Sequence, residues 1–411
     1  MSRYKNILCL LFLIISGFLH AQTLDEYLEI AAENNPGLKA KYAEFEAAFQ
    51  RVAQSNSLSD PTLSFGYFIS PVETRVGPQR AKFGLSQMFP WFGTLASKGE
   101  VAALMAEAKY QEFLNARNEL YFKVKAAWYP LYEVNNIWSL QKQNREILST
   151  FKQLSTSSFK NGKGSMVDVI RVDIMLENSE TEIKLLEDKK KPLLTHFNKL
   201  LNRADTISVT IVDSLSVLKV EVDYRKDSLL AINPMLAAFD LKMLSAKEQE
   251  GLARKQGLPK FGVGLDYVIV GNRTDMDVPD NGKNAIMPMV SMSIPIFRGQ
   301  YKSAVKEAQF TQLAITAYKE DFENNLISTY EMTWYELERA TQLIDLYQSQ
   351  MLKTNQAINL LLIAYSNSGK DFEEVLRMQQ ELLKYQMAQA TALKEYYTAL
   401  AKLDYITAKS E

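Results

Sequence analysis

Four short stretches of the chain alternate between large apolar and small or polar residues. Leu63, Phe65, Tyr67 and Ile69 face one way, and Thr62, Ser64, Gly66 and Ser70 the other. Phe83, Leu85 and Phe89 alternate with Lys82, Gly84 and Ser86. The same rhythm returns in Phe261, Val263, Leu265, Tyr267 and Ile269 against Lys260, Gly262, Gly264 and Asp266. It returns again in Val290, Met292 and Ile294 against Ser291 and Ser293. A period of two predicts β-strands, at about 61–70, 82–90, 259–270 and 288–296. Each run is ~8–10 residues, long enough for a transmembrane strand with a lipid side and a lumen side. Phe89, Trp91, Phe92 and Phe297 stand at the run ends, where an interfacial aromatic girdle would lie. A half-buried strand of a soluble sheet shows the same alternation, so the strands alone do not decide between the two.

Elsewhere the apolar spacing changes to three and four. Leu120, Val124, Ala127, Leu131, Val134 and Trp138 trace a coiled-coil seam. No glycine falls between Gly99 and Gly162, and Pro130 is the one proline there; between Gly299 and Gly369 there is neither. Such stretches predict helices of roughly 60 residues, about 90 Å at 1.5 Å per residue. Pro130 is expected to kink the first of them. A second long helix follows each glycine break, at about 165–202 and 370–409. Each half therefore holds a long antiparallel helical hairpin.

The halves also match in sequence. Asn34-Asn35-Pro36-Gly37-Leu38 returns as Ile232-Asn233-Pro234-Met235-Leu236, an offset of 198 that also carries Pro61 onto Pro259. Phe89-Pro90-Trp91-Phe92 pairs with Ile294-Pro295-Ile296-Phe297 at an offset of 205, and Trp128-Tyr129 with Trp334-Tyr335 at 206. Phe159-Lys160-Asn161 then meets Tyr365-Ser366-Asn367, and Asp168-Val169-Ile170-Arg171 meets Glu374-Val375-Leu376-Arg377. One slowly drifting register predicts an internal duplication: residues 22–222 form one repeat and 223–411 the other. Tips are expected at about 159–165 and 365–371.

Composition narrows the setting. Lys and Arg number 47 against 48 Asp and Glu, so no basic surplus points to nucleic acid. Arg3 and Lys5, the apolar run from Ile7 to Ile15, and Leu19-His20-Ala21 read as a secretory signal over residues 1–21. The one cysteine, Cys9, lies inside it. After Gln22 no stretch reads as a membrane-spanning helix, which leaves a periplasmic, secreted or β-barrel protein. Four strands cannot close a barrel, since about eight are needed; three copies would supply twelve.

These features together resemble the TolC-like outer-membrane efflux protein family. The resemblance rests on the Asn-Pro helix starts, on Pro61 and Pro259 before the strands, and on Ser293-Ile294-Pro295-Ile296-Phe297-Arg298-Gly299. It rests also on the glycine tips followed by Asp168-Val169 and Glu374-Val375. It covers the mature chain, and its specificity lies in the order and spacing of these motifs. It implies an α+β membrane protein: a homotrimeric transmembrane β-barrel, four strands per chain, continued by a long periplasmic α-helical coiled-coil barrel. The implied partners are a second and third copy of the chain, a periplasmic adaptor protein, an inner-membrane pump of the RND, ABC or a similar class, and outer-membrane lipid. Such a duct belongs to a tripartite efflux or type I secretion system. Some relatives carry a lipidated N-terminal cysteine; this chain has none. The runner-up reading is a periplasmic coiled-coil adaptor or scaffold without a barrel, which would not need four strands with aromatic ends. Drugs, metal ions and polypeptides all stay open as cargo.

No enzyme constellation is visible, and no cofactor or metal is expected. His196 is the lone histidine after residue 21, and no thiol follows Cys9. Gly162-Lys163-Gly164-Ser165 follows a helix and lacks P-loop spacing. Met287, Met289 and Met292 could serve as soft ligands for Cu(I) or Ag(I), though apolar strand positions explain them better. Asp275, Asp277 and Asp280 read as turn formers in a loop without an EF-hand pattern. At the tips, Asp168 and Glu374, with Arg171 and Arg377 three residues on, form a candidate periplasmic gate. A ring of carboxylates would favour cations; helix capping explains the same residues, since Ser165-x-x-Asp168 and Asp371-x-x-Glu374 resemble capping boxes. Asn161, Gly162, Gly164, Asn367 and Gly369 mark the candidate surface for an adaptor.

Overall fold

The structure is a computed structural model that describes residues 23–211, 215, 232–368 and 372–409, with the side chains of 367 and 368 left aside. The secretory signal at 1–21, the boundary between repeats at 222–223, and Gly369 and Asp371 lie outside the described residues. Within them the chain runs α1 (Leu24–Asn34), α2 (Pro36–Ser55), β1 (Thr62–Thr74), β2 (Gly77–Phe89), α3 (Thr94–Lys160) and α4 (Met166–Leu200). It continues with α5 (Pro234–Gln256), β3 (Lys260–Val270), β4 (Ala285–Ser293), α6 (Gly299–Ser368) and α7 (Phe372–Ile406).

Two compact units divide these elements. One gathers the residues up to Ala40, those from Leu114 to Asn233, and those from Asn324 onward. It consists of two helical hairpins, α3–α4 and α6–α7, with α1 beside them. The α3 part alone, from 114 to 160, is about 70 Å long. The three-and-four spacing works here as expected: Leu120, Val124, Ala127, Leu131 and Val134 are all buried, and Trp138 sits half-buried at the end of the seam. Its indole Nε1 donates to Glu187 of α4 at 3.0 Å. In the other hairpin Leu337, Ala340 and Ile344 of α6 pack on Ala392, Leu393, Tyr396, Ala399 and Leu403 of α7. Helix α3 is continuous across Pro130. The residues flanking that proline, Tyr129 and Leu131, are buried, and packing of this kind holds a helix together where a backbone donor is lost.

The other unit runs from Lys41 to Phe113 and from Pro234 to Glu323. Its centre is one antiparallel sheet in the order β1-β2-β3-β4. The strands differ in extent from the expected 61–70, 82–90 and 288–296. Strands β1 and β2 run on to Thr74 and from Gly77, closing in a tight turn in which the Thr74 hydroxyl donates to the Gly77 carbonyl at 2.6 Å. The register shifts between Tyr67 and Val72, around Pro71, which has no N–H for the ladder; such a bulge hides the continuation of a strand from a strict period of two. Strand β4 begins earlier, at Ala285, and ends at Ser293, before Pro295. Pro288 is tolerated within it because β4 is an edge strand.

Candidate functional site

The ladder register sorts the sheet into two unlike faces. Leu63, Leu85 and Leu265 stand in one row across β1, β2 and β3. Phe65, Phe83, Tyr267 and Ile286 make the next row across all four strands, and Phe65 and Phe83 lie 5.0 Å apart between ring centroids. These apolar side chains are exposed, Ile69 at 92%. Burial is the usual fate of such rows, because each apolar Å² left in water costs on the order of 25 cal/mol. The reverse face carries Ser64, Gly84, Asp266 and Met287 in one row, with Lys82 and Val268 beside them. Lys82 forms an ion pair with Asp266, a residue only 2% exposed. Gly84 leaves the space that pair occupies: a Cβ there would stand 2.6 Å from both Asp266 Oδ1 and Ser64 Oγ. Met287 and Met289 share the small-residue face, whereas Met292 pairs with Phe261 on the apolar one, so the three methionines do not converge.

Aromatic residues gather at one edge of the sheet. Trp91 and Phe92 lie 5.7 and 6.5 Å from Phe261, and Phe297, just past β4, is 85% exposed. At the opposite edge, the loop 271–284 folds onto the β1–β2 turn: Gly271 N–H donates to Pro78 O and Gly282 N–H to Val76 O, both at 2.7 Å. Asp275 accepts from Arg273 at 2.7 Å, which holds its carboxyl below the usual range. Asp280 has a positive φ of 65° and pairs with Lys283. Both acids therefore act as loop formers. Among the described residues, no group of three His, Cys, Asp or Glu side chains could hold a metal.

The first hairpin tip is built by its backbone. Gly162 adopts φ 68°, a conformation that favours glycine. Gly162 N–H donates to Phe159 O and Lys163 N–H to Ser158 O, each at 3.0 Å, the paired bonds of a Schellman turn. Helix α4 then starts on a capping box: Ser165 Oγ accepts from Val167 N–H, and the Asp168 carboxylate accepts from Ser165 N–H at 3.3 Å. Asp168 is thus engaged as a cap. Its expected neighbour Arg171 reaches elsewhere, to Glu373 of α7 at 2.6 Å, while Arg377 pairs with Glu374 on its own helix. A groove of about 350 Å³ opens between α4 and α7 at these residues. Of the candidate docking residues, Asn161, Gly162 and Gly164 form this turn, Asn367 lies in the last turn of α6, and Gly369 lies outside the described residues.

Three features escaped the sequence reading. Glu373 is the acid that joins the two hairpins. The two tips also differ: Phe159 and Met166 are about half exposed, whereas their counterparts Tyr365 and Phe372 are buried and stacked at 4.7 Å, packed with Leu148, Phe151 and Val172. The two Asn-Pro pairs do similar work. Asn35 Oδ1 accepts from Leu38 N–H at 3.1 Å, and its Nδ2 donates to Leu200 O, at the end of α4, at 2.9 Å. Asn233 Nδ2 donates to Ile406 O, at the end of α7, at 3.2 Å. The repeated Asn-Pro was the available signal; its partner carbonyls were not visible in the sequence.

Among the described residues no helix is long and apolar enough to cross a membrane, which says nothing against the exposed apolar sheet face. Residues 227–409 match the family described as outer membrane efflux protein. The chain is 22% identical over 412 residues to the outer membrane protein TolC of Salmonella enteritidis, covering 92% of this chain and 80% of that one. In fold it is similar to the outer membrane protein VceC of Vibrio cholerae, with a TM-score of 0.74 at 16% identity over 93% of this chain and 95% of that one. The outer-membrane channel OprN aligns with a TM-score of 0.75 at 18% identity, over 94% and 90%. The match over residues 227–409, the similarity along the chain and the shared fold point the same way: the chain is similar to TolC-like outer-membrane efflux proteins.

Proposed function

We propose that three copies of this chain assemble into one export duct. The observation that carries this reading is the sheet, with apolar side chains exposed on one face and β1 and β4 both at open edges. Open strand edges are not tolerated in hydrocarbon, because each unpaired backbone group there costs several kcal/mol. Three sheets joined β4 to β1 close a twelve-stranded barrel without an edge. The leucine and phenylalanine rows then face lipid, and the Lys82–Asp266 face lines the lumen. The matching element order in the two halves supports a duplication, so that each chain supplies two pseudo-equivalent hairpins to a periplasmic helical barrel.

The tip around Asn161, Gly162 and Gly164, with Phe159 and Met166 exposed beside it, offers apolar surface to the helical hairpin of a periplasmic adaptor, coupled in turn to an inner-membrane pump. Asp168, Arg171, Glu374 and Arg377, now with Glu373, form the gate in this reading. Cysteine crosslinking between positions 63 and 286 tests the assembly, since residues on β1 and β4 of one chain are kept apart by β2 and β3. Leu63→Cys with Ile286→Cys should give covalent trimers in the outer-membrane fraction. Crosslinks confined to monomers, or a soluble periplasmic product, would refute closure by three copies.

A further inference from the structure

Next to the aromatic edge of the sheet, α5 and α6 leave a groove of about 490 Å³. Leu258, Tyr301 and Val305 line it with apolar surface, and Arg298, Lys302 and Lys306 line it with charge. The three cations are four residues apart and so share one face of α6. The nearby acid does not neutralise them. Glu250 accepts from Arg254 at 2.6 Å, from Gln309 at 3.1 Å and from Gln312 at 3.0 Å. The Arg254 hydrogen bond foremost holds its carboxyl below the usual range. Among the described residues no ion pair reaches Arg298, Lys302 or Lys306. The groove begins where the strands end: β4 stops at Ser293, and Ile294, Ile296 and Phe297 stand exposed between it and Arg298.

An unpaired cationic row beside an apolar wall fits an amphiphile with one negative head and a hydrocarbon tail. A small anion would leave Leu258, Tyr301 and Val305 in water, and a neutral lipid would leave the three cations uncompensated. We propose that this groove binds the phosphodiester headgroup of an anionic glycerophospholipid from the periplasmic leaflet, with its acyl chain running along Ile296 and Phe297 toward the sheet. The assignment rests on the membrane-inserted reading of the sheet. The headgroup anchors each chain at a fixed depth, and the start of α6 at Gly299 adds the partial positive charge of a helix N-terminus.

The test uses the purified full-length channel in nanodiscs of equal phosphatidylglycerol and phosphatidylcholine. Lipid retained after mild detergent extraction is counted by native mass spectrometry. The unaltered protein should retain phosphatidylglycerol over phosphatidylcholine about tenfold. The combined Arg298→Gln, Lys302→Gln and Lys306→Gln variant should lose that preference, and Lys302→Gln alone should lower it. A control with Lys189→Gln, Lys190→Gln and Lys191→Gln removes as much charge from α4 and should keep the full preference. Equal retention of both lipids, or a preference that survives in the triple groove variant, overturns the assignment. Displacement of phosphatidylglycerol by inorganic phosphate alone would make the groove a small-anion site and overturn it too. Insertion is scored separately: failure of the unaltered protein to enter nanodiscs removes the membrane reading and this proposal with it, whereas insertion without enrichment removes this proposal only.

Discussion

Asn35 spends both ends of its amide. Its oxygen caps α2, and its nitrogen closes the final carbonyl of α4, so one side chain satisfies two groups that helix ends leave open. Asn233 reaches Ile406 O in the same manner while buried. Asn35→Ala should therefore lower stability by about 1–2 kcal/mol, the usual cost of a lost cap. Asn233→Ala should cost about 1–3 kcal/mol, because it leaves a buried carbonyl unpaired. Asn35→Asp separates the two bonds: it keeps the cap but sets a carboxylate against Leu200 O. Thermal unfolding in detergent reads all three. An aspartate variant as stable as the unaltered protein would mean that the bond to Leu200 contributes nothing.

Elements were legible in the sequence to the degree that one periodicity governed them. The seam from Leu120 to Val134 was readable because its three-and-four spacing coincides with the burial of every position. Strand ends were not, because the bulge around Pro71 breaks the period of two while the strand continues. The contact between hairpins was invisible for another reason. Arg171 lies one turn from Asp168 in sequence, but which way it turns depends on where α7 lies, and there Glu373 competes for it. Arg377 uses the spacing of three to pair with Glu374, whereas Arg171 pairs across to Glu373 instead of with Asp168. A charge-exchange cycle tests the bridge between α4 and α7. Arg171→Glu should destabilise by roughly 0.2–1 kcal/mol, the range of exposed pairs, and adding Glu373→Arg should recover most of it. Strictly additive effects on the thermal midpoint would mean that the two side chains are not coupled.

At the scale of the whole molecule, two sets of charges could select ions in the proposed trimer. In the sheet, Lys82 and Asp266 cancel one another at contact distance, so three copies add little net field to the lumen. At the tip the carboxylates are not bare either. Asp168 is held in its cap, Glu374 by Arg377 and Glu373 by Arg171. The tip thus holds Glu374 and Glu373 in ion pairs and Asp168 in a neutral cap, a balance that either sign of substitution can tip. Asp168→Asn with Glu374→Gln removes two negative charges per chain and frees Arg377, so the channel should shift toward anions. Arg171→Ala with Arg377→Ala frees Glu373 and Glu374 instead and should shift it toward cations, while loosening the contact between α4 and α7. The opposite signs separate gate electrostatics from a general loss of structure, which would move both variants the same way. Reversal potentials of single channels under a salt gradient measure the shift, and low salt keeps screening weak. Selectivity unchanged in both variants would remove these four residues from the conduction path and leave them with capping and helix pairing alone.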